Sequence, residues 1–488
     1  MLSPQGVLFR SRRRWAAIAL VPLLGACAPD KGGLDLATPA VPAQFRAGSD
    51  KPAAPVDALW AKAFGSPELA RLVAQAARDN LDIAAAAARI EQAEAQARIA
   101  AAGLLPQISG TGDASYARTP GTTRSSHPPF HASLSQSYAL GLSASYALDF
   151  WGKYRATAQA GRLLAEASRY DRDTVVLSTT AAVANSYLAL LAAQDRLAIA
   201  RENIASASEI LKAEQARLAV GTATALDVAQ QESLLAQQRA AVPGLTLQLA
   251  QNRNLLAVLL GRTPESVTVK GGSLRRLTVP RIRAGLPSQL LARRPDIAAA
   301  EAALASSSAS VKAARAAFLP DFQLTAQGGL ASMMLKNLLR PDAFAASAAA
   351  ALTQPIFSGG QLEGQLGAAT GRQKELLEDY RKAIIQALAD VENALEALRQ
   401  TAAQERSQAV VVASARRASD ITKQRLKEGT IDIVTLLNTQ QTLFQAQDQL
   451  AQARLQHLQA AVALYQALGG GWTRALPPLE VAGAEAAP

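Results

Sequence analysis

Polar and hydrophobic residues alternate strictly in several short stretches of this chain. After Pro106, polar side chains occupy the odd positions up to Ser115, and apolar or small residues occupy the even ones. The alternation is stronger over 137–150, returns after Pro320, and is weaker in an alanine-rich run near 344–357. A period of two residues is typical of β-strands with one apolar and one polar face. We therefore predict four strands, at about 105–117, 137–150, 318–330 and 344–357.

The sequence after each strand pair has the composition of long helices. No proline interrupts 155–217, and this run alone would extend about 95 Å as an α-helix at about 1.5 Å per residue. It ends in the phrase RLAVGTATALDV at 217–228, where a Gly-Thr pair precedes a new helix-start pattern. A second such phrase, RLKEGTIDIVTL, occupies 425–436. We predict two tight reversals, at about 218–226 and 426–434, between helices long enough to build a hollow tube.

The two halves of the chain repeat each other. Four residues of the first turn recur 208 positions later, so that Arg217, Leu218, Gly221 and Thr222 become Arg425, Leu426, Gly429 and Thr430. The segment DIAAA at 82–86 returns 214 positions later, as does a Leu-Pro pair that precedes a predicted strand. Repeats in the same order indicate a duplication in which each copy forms one structural unit. The predicted segments are a signal peptide at 1–26, a tether at 27–56, a first repeat at 57–262, a connector at 263–288, a second repeat at 289–470 and a tail at 471–488.

The N-terminus reads RSRRRWAAIALVPLLGAC, a basic region followed by a short apolar run and small residues. This pattern is typical of a secretory signal, and the apolar run is too short to span a membrane. Its last four residues resemble the lipobox of bacterial lipoproteins, and Cys27 is the only cysteine of the chain. The resemblance implies S-diacylglycerol and N-palmitoyl groups on Cys27, and Ala28 after it implies sorting to an outer membrane. The alternative is an ordinary signal peptide with an incidental cysteine.

Composition and motifs argue against several classes of function. The formal net charge is +11, but four arginines lie in the first 26 residues, and the other basic residues are interspersed with acidic ones. Nucleic-acid binding usually needs a basic patch, so we expect none. Two of the three histidines, His127 and His131, fall in a proline-rich loop that is a poor metal site. With no nucleotide-binding or nucleophile motif in the sequence, we expect neither an enzyme nor a metal nor a bound cofactor.

The predicted strands allow two interpretations. One apolar and one polar face fits a sheet that lies on a soluble core. The same faces fit outer-membrane barrel strands with a polar lumen, and the aromatic residues at the ends of the apolar face favour this interpretation. Four strands cannot close a barrel, and open edges cannot face lipid. Two, three or four copies would therefore have to share one barrel.

The order of these phrases resembles the TolC-like outer-membrane efflux proteins, in particular the lipidated, NodT-type branch that serves resistance-nodulation-division (RND) pumps. The phrases that carry the resemblance are the two Gly-Thr turns together with LWAKAFGSPELARLVAQAARDNLDIAAAAARI at 59–90, ASYALDFWGKYRA at 144–156 and LLARRPDIAAAEAAL at 290–304. They span nearly the whole chain after the signal peptide. Ser66 stands where the family often has aspartate, and we expect no functional consequence.

The resemblance implies a mixed α+β membrane fold and a homotrimer. Each chain would contribute four transmembrane strands to a shared 12-stranded β-barrel, which continues into a long α-helical barrel through the periplasm. The channel would passively conduct drugs or other small toxic compounds to the exterior. Its expected partners are an inner-membrane RND transporter, a periplasmic adaptor protein and the lipid of the outer membrane.

The two reversals would form the far tips of the helical barrel. We expect Gly221 and Gly429 to end a helix, and Thr222, Thr224 and Thr430 to cap the next one. Acidic residues after each turn would favour the positive end of that helix. In the family the tips also dock the adaptor, and the candidate docking residues are Gly221, Thr222, Asp227, Gly429, Thr430 and Asp432. Well-formed turns without a docking role are the alternative.

The second tip resembles the periplasmic constriction of the family. There an apolar residue is followed by an acid four positions later and a base three positions after that. Here these positions hold Val434, Asn438 and Gln441, and the spacing puts them on one helix face. Amides cannot form ion pairs that would latch the tunnel shut. We therefore predict a gate held by Val434 packing and amide contacts, with little sensitivity to pH and salt.

Two alternative functions remain open at this point. Within the channel class, the chain could serve type I protein secretion or heavy-metal efflux. From another class, it could be a periplasmic coiled-coil adaptor without a pore. An adaptor would carry a β-rich, lipoyl-like segment between its helical arms in place of duplicated strand pairs.

Overall fold

The structure, a computed structural model, describes residues 39–46, 57, 59–120 and 133–474. The predicted signal peptide, the lipidation site Cys27 and both loop histidines lie outside the described residues. The elements in chain order are α1 (Pro67–Asp79), α2 (Leu81–Ala102), β1 (Gln107–Thr119), β2 (Ser133–Leu148), α3 (Lys153–Ala219), α4 (Ala225–Leu259), α5 (Pro287–Leu290), α6 (Pro295–Ala316), β3 (Asp321–Ser332), β4 (Phe344–Thr353), α7 (Gln361–Lys427) and α8 (Ile433–Ala467).

The three longest helices of each repeat match those of the other repeat in length. Helices α2 and α6 have 22 residues each, α3 and α7 have 67, and α4 and α8 have 35. A helix of 67 residues extends about 100 Å. The predicted long, uninterrupted helices and the reversal that follows each of them are confirmed. Each repeat therefore consists of a short helix, a strand pair and one long helical hairpin.

The four long helices end in the same way. Each ends at a glycine with a positive φ, and the amide after that glycine donates to the carbonyl five residues back. These four bonds join Thr222 to Arg217, Arg262 to Ala257, Thr430 to Arg425 and Gly470 to Tyr465. The pattern is a Schellman motif, which satisfies carbonyls that the end of a helix leaves without partners.

The strands form one antiparallel sheet in the order β1-β2-β3-β4. Leu142 lies opposite Gly110 on one side and opposite Gly328 on the other, and Leu330 lies opposite Phe344. The four predicted strands are confirmed. Strand β4 ends at Thr353, however, and not near 357, because Pro355 has no amide hydrogen for the ladder.

In each repeat, a hydrogen bond at an equivalent position joins the first part of the repeat to its last helix. The side chain of Asn80, which caps α2, donates from Nδ2 to the carbonyl oxygen of Leu259 at 2.9 Å. At the equivalent place in the second repeat, Arg294 donates from Nη1 to the carbonyl oxygen of Ala467 at 3.4 Å. Each bond joins the start of a 22-residue helix to the last residue of a 35-residue helix.

The largest core surrounds the middle of α3. Helix α1, the connector and the ends of α4 and α8 converge there, and the buried side chains include Phe64, Leu69, Leu188, Leu191, Leu256, Leu274 and Val462. Helix α3 holds a stretch long and apolar enough to cross a membrane, but 61% of that stretch is buried inside the protein. We therefore interpret it as the core helix.

Residues near both ends of the described chain pack against these helices. Phe45, from the predicted tether, is only 3% exposed and joins a core that contains Leu290 and Ile384. The first residues of the predicted tail also make contacts, because Trp472 donates to Asp173 at 2.9 Å and Arg474 pairs with Glu301 at 2.9 Å. Both ends of the described chain are therefore tied to the helical body, and Trp472 reaches from the end of the second repeat to α3 of the first.

Candidate functional site

The sheet presents one apolar and one polar face, and neither is covered by the rest of the described chain. Ile108 is 73% exposed and Leu142 is 64% exposed, although both lie on the apolar face. The other large apolar residues of this face are Tyr116, Leu134, Tyr138, Leu140, Tyr146, Leu148, Phe322, Leu324, Leu330, Phe344 and Leu352. A continuous apolar surface of this kind is costly in water and fits the hydrocarbon of a membrane.

Aromatic residues mark both ends of the apolar face. Tyr116, Tyr138 and Phe344 lie towards one end, and Tyr146 and Phe322 lie towards the end that meets the helices. The latter belt continues beyond the strands, because Phe150 contacts Phe322 edge-to-face at 4.9 Å and Trp151 donates to Pro320 at 2.8 Å. The belts are about 26 Å apart along β2, or about 20 Å after a tilt of about 40°. This height is close to that of the apolar band in outer-membrane barrels.

The polar face carries small and hydrogen-bonding side chains. It consists of serine, threonine, glutamine, alanine and glycine, with aspartate at 113 and 321. Ser109 and Ser143 form a cross-strand hydrogen bond at 2.7 Å on this face. Such a face suits a water-filled lumen.

The sheet has two unpaired edges within the described chain. Strand β1 pairs only with β2, and β4 pairs only with β3. A backbone amide without a hydrogen bond costs about 4–8 kcal/mol when it is transferred from water to hydrocarbon. Both edges therefore require strands from outside this chain.

The first reversal is built by Gly221 and Thr224. Gly221 has a φ of 79°, and its surroundings leave room for a side chain. Thr224 caps α4 through a reciprocal pair of bonds, in which the amide of Asp227 donates to its hydroxyl at 3.2 Å and its own amide donates to Asp227 at 2.8 Å. This capping box fixes the start of α4. Val220 and Leu226 are exposed beside the turn.

The second reversal uses an aspartate as its cap. The amide of Thr435 donates to Asp432 at 2.9 Å, and the hydroxyl of Thr435 donates to the same oxygen at 2.6 Å. These bonds lower the pKa of Asp432, the hydroxyl contributing most. The charge also lies at the positive end of α8.

Two of the predicted capping residues bond to the helix before the turn and not to the helix after it. Thr222 and Thr430 were expected to cap α4 and α8, but their hydroxyls donate at 3.1 Å to Arg217 and Arg425, in the last turns of α3 and α7. The expectation was wrong because the Schellman geometry folds each threonine back over the helix that ends. The caps of the following helices are Thr224, as expected, and Asp432.

The three gate candidates lie on one exposed face of α8. Val434 is 42% exposed, and Asn438 and Gln441 are exposed on the next two turns. The opposite face of α8 packs into a small core that contains Ile210, Leu426, Ile433 and Leu436, and this core joins the two hairpins near their tips. The arrangement leaves the three side chains free to face a lumen, and their gating role stays a prediction.

Charged contacts between helices were missing from the sequence interpretation. Arg196 on α3 forms a bidentate pair with Asp448 on α8, at 2.6 and 3.1 Å. On α7, Glu405 pairs with Arg454 at 3.0 Å and with His457 at 2.6 Å. The sequence indicates these pairs only indirectly, because each places a charged residue where helical spacing predicts a buried face.

Arg294, which precedes α6, also belongs to a further ion cluster. It pairs with Asp296 at 2.6 Å and with Asp390 at 2.9 Å. Burial alone lowers the pKa of Arg294, but the bonds to the two aspartates outweigh burial and raise it above its ordinary value. Within the described residues, no group of three or more histidine, cysteine or acidic side chains is arranged to hold a metal ion.

Comparison with known proteins agrees with this geometry. A family model described as outer membrane efflux protein matches residues 72–262 and 286–470, two segments on either side of the connector. The pyoverdine export outer membrane protein OpmQ of Pseudomonas aeruginosa is 40% identical over 95% of this chain and 98% of that protein. The toluene efflux pump outer membrane protein TtgF of Pseudomonas putida is 33% identical over 88% of this chain and 89% of that protein. The crystal structure of the Campylobacter jejuni CmeC outer membrane channel superposes with a TM-score of 0.84 at 25% identity, covering 91% of this chain and 95% of that one.

Proposed function

The chain belongs to the outer membrane efflux protein family and is the outer-membrane channel of a tripartite efflux pump, and we propose that it works as a homotrimer. The observation that carries this proposal is the four-stranded sheet with an exposed apolar face and two free edges. Three such sheets, joined β4 to β1 of the next copy, close a barrel of twelve strands. At a strand spacing of about 4.8 Å and a tilt of about 40°, its backbone radius is about 12 Å.

Cysteine cross-linking tests the trimer. Within one chain, β1 and β4 are separated by two strands, about 14 Å, which is beyond the reach of a disulfide. A cysteine at Thr111, combined in turn with cysteines at Ser347, Ala349 and Ala351, can therefore react only between copies. We expect a covalent trimer on a denaturing gel for at least one of these pairs.

A matched pair controls for cysteine reactivity. Ser109→Cys with Ser143→Cys places two thiols where the hydroxyls are 2.7 Å apart, so the disulfide forms within one chain and the product stays monomeric. Monomers alone from every β1–β4 pair, or a ladder that ends at two or four copies, would contradict the trimer.

We further propose that the two tips bind a periplasmic adaptor, which connects the channel to an inner-membrane RND transporter. The exposed apolar side chains of Val220 and Leu226 beside the first turn support this role, because neighbouring exposed apolar residues mark interaction surfaces, whereas singly scattered ones do not. Solutes then pass from the helical tunnel into the barrel without chemical change.

Lipidation of Cys27 is part of the same proposal. The thioether-linked diacylglycerol and the N-palmitoyl group would anchor the N-terminus in the inner leaflet of the outer membrane. Phe45, buried against the second repeat, supports this by holding the tether on the helical body. Mass spectrometry of the N-terminal peptide would show the added lipid mass, and an unmodified N-terminus at residue 27 would exclude it.

For the cargo we propose a pyoverdine-type siderophore, since OpmQ, which exports pyoverdine by its name, aligns over 95% of this chain at 40% identity. The test is deletion of the gene from its host, followed by measurement of siderophore in the medium and in the periplasm. We expect less in the medium and more in the periplasm, with recovery on complementation. Unchanged siderophore export together with new sensitivity to toluene would instead favour a solvent cargo, as in the name of TtgF.

A further inference from the structure

We propose that Asp113 makes the barrel of this channel selective for cations, an inference that rests on the proposed trimer. The polar face of the sheet holds two ionisable side chains among the described residues, Asp113 and Asp321. All the other side chains of that face are neutral. Within the described strands, the charge on the lumen side of the sheet is therefore set by these two positions.

Asp321 is balanced by a neighbouring cation. It is the first residue of β3, next to the helices, and Lys153 Nζ lies 3.7 Å from its Oδ2. The hydroxyl of Tyr154 also reaches the same oxygen, at 3.5 Å. The pair contributes little net charge to the lumen.

Asp113 has no such partner. It lies opposite Ala139 and between Thr111 and Ser115 on the polar face, so small neutral side chains surround it. Its side chain is exposed, and no hydrogen bond or ion pair joins it to another described residue.

The neighbouring copy brings no cation to this position either. Asp113 is on the edge strand β1, which the proposed trimer pairs with β4 of the next copy. The residues of β4 are FAASAAAALT, without a charged side chain. Whatever register the two strands adopt, the carboxylate of Asp113 therefore stays uncompensated by that strand.

Three copies place three carboxylates at one height of the lumen. Asp113 is the seventh of the 13 residues of β1, midway between its ends. Its distance from the pore axis is less than the backbone radius of about 12 Å and so is comparable with the Debye length of about 10 Å at 0.1 M salt. Rings of acidic side chains select cations in other channels. At 1 M salt the Debye length falls to about 3 Å, and the effect should vanish.

The gate region adds no competing charge. Residues 433–447 of α8, which include the three gate candidates, contain no ionisable side chain. Selectivity would thus be imposed in the barrel and not at this tip. Cationic and zwitterionic solutes would enter the lumen preferentially, whereas anions would be depleted there at low ionic strength.

The test is the reversal potential of purified channels in a planar bilayer under a KCl gradient near 0.1 M. We expect the permeability ratio of potassium to chloride to be about three- to tenfold higher for the wild type than for Asp113→Asn. Ser115→Asn, which changes side-chain size on the same face without changing charge, should keep the wild-type ratio. The difference between wild type and Asp113→Asn should disappear at 1 M KCl.

A rescue variant separates charge from local structure. Ala139→Asp in the Asp113→Asn background returns a carboxylate to the facing position on β2 and should restore most of the selectivity. Equal permeability ratios for the wild type and Asp113→Asn would overturn the inference while leaving the channel function intact. A wild-type trimer without any conductance would overturn the proposed function and this inference with it.

Discussion

Two glycines at equivalent positions allow the ends of each repeat to approach within contact distance. A β-carbon on Gly469 would lie 1.9 Å from the carbonyl oxygen of Arg293, and one on Gly261 would lie 2.2 Å from that of Asp79. Both glycines also have positive φ angles, of 88° and 66°. Each added β-carbon would clash with a backbone carbonyl, and no flexible side chain could move to relieve the clash.

We expect Gly469→Ala to lower the free energy of unfolding by about 2–4 kcal/mol, since the clash adds to the cost of a left-handed alanine. Gly221→Ala is the matched control, because its φ is 79° but nothing lies within 4 Å of the added carbon. It should cost only about 1 kcal/mol. Thermal unfolding followed by circular dichroism measures both, and equal losses would show that the close approach is unimportant.

A single substitution at Asn438 tests the gate predicted at the second tip. Asn438→Asp should make the closed state sensitive to pH and salt, because a ring of carboxylates repels itself when ionised. Single-channel recordings at low and neutral pH measure this. Asn438→Gln, which keeps an amide, serves as the control, and an unchanged pH response of Asn438→Asp would count against a gate at this position.

Local geometry at single residues was only partly predictable from the sequence. The turn glycines and the Thr224 cap follow from residue type and spacing. The roles of Thr222 and Thr430 did not, because the choice between two neighbouring helices depends on the turn geometry and not on composition. The bond from Asn80 to Leu259 spans 179 residues, and no local pattern indicates such a partner.

At the scale of elements, the first hairpin tip carries the exposed apolar residues that the proposed docking needs. Leu226→Asp should weaken binding of the adaptor at least tenfold, since it places a charge in an apolar contact. Leu247→Asp changes a leucine of similar exposure on α4 that is distant from the tip, and this variant should bind normally. Pull-down titration of the trimer with its adaptor measures both, and equal binding by the two variants would remove the tip from the interface.

The second tip should respond to acid. The pKa of Asp432 is lowered by its bonds to Thr435, so its contribution to the start of α8 is present above the ordinary value of about 3.9 and is lost as pH falls through the lower folded value. We expect amides 433–436 to lose protection from hydrogen exchange in strong acid. Asp432→Asn keeps a cap that does not titrate and should show no such loss. Equal pH dependence in both proteins would contradict the role of the charge.

The sequence predicted the positions of helices and strands more accurately than it predicted contacts between side chains. Strict alternation located the faces of β1 to β3, and the absence of proline located α3. The end of β4 was misplaced because its alanines give almost no contrast between faces, so that only Pro355 marks the limit. The docking of Trp472 and Arg474 was also invisible, since both contacts reach helices distant in the chain.

At the scale of the whole molecule, contacts between the two repeats hold the hairpins together. The pair Arg196–Asp448 joins α3 to α8 and is partly shielded from solvent. A double-mutant cycle with Arg196→Met and Asp448→Asn should give a coupling of about 1–2 kcal/mol, above that of a typical surface pair. The same cycle on the exposed pair Glu396–Arg399 should give no resolvable coupling. Equal values would mean that the pair Arg196–Asp448 does not contribute to holding the repeats together.

The equal lengths of the paired helices have a consequence for how such a channel can change its reach. Since α3 matches α7 and α4 matches α8, the two hairpins of the chain have equal lengths, and the six hairpin tips of the proposed trimer would lie at one depth. Lengthening one hairpin by two turns in every copy would give three longer and three shorter hairpins, so that the six tips would no longer lie at one depth. A longer tunnel with level tips therefore needs the same number of residues inserted in each of α3, α4, α7 and α8.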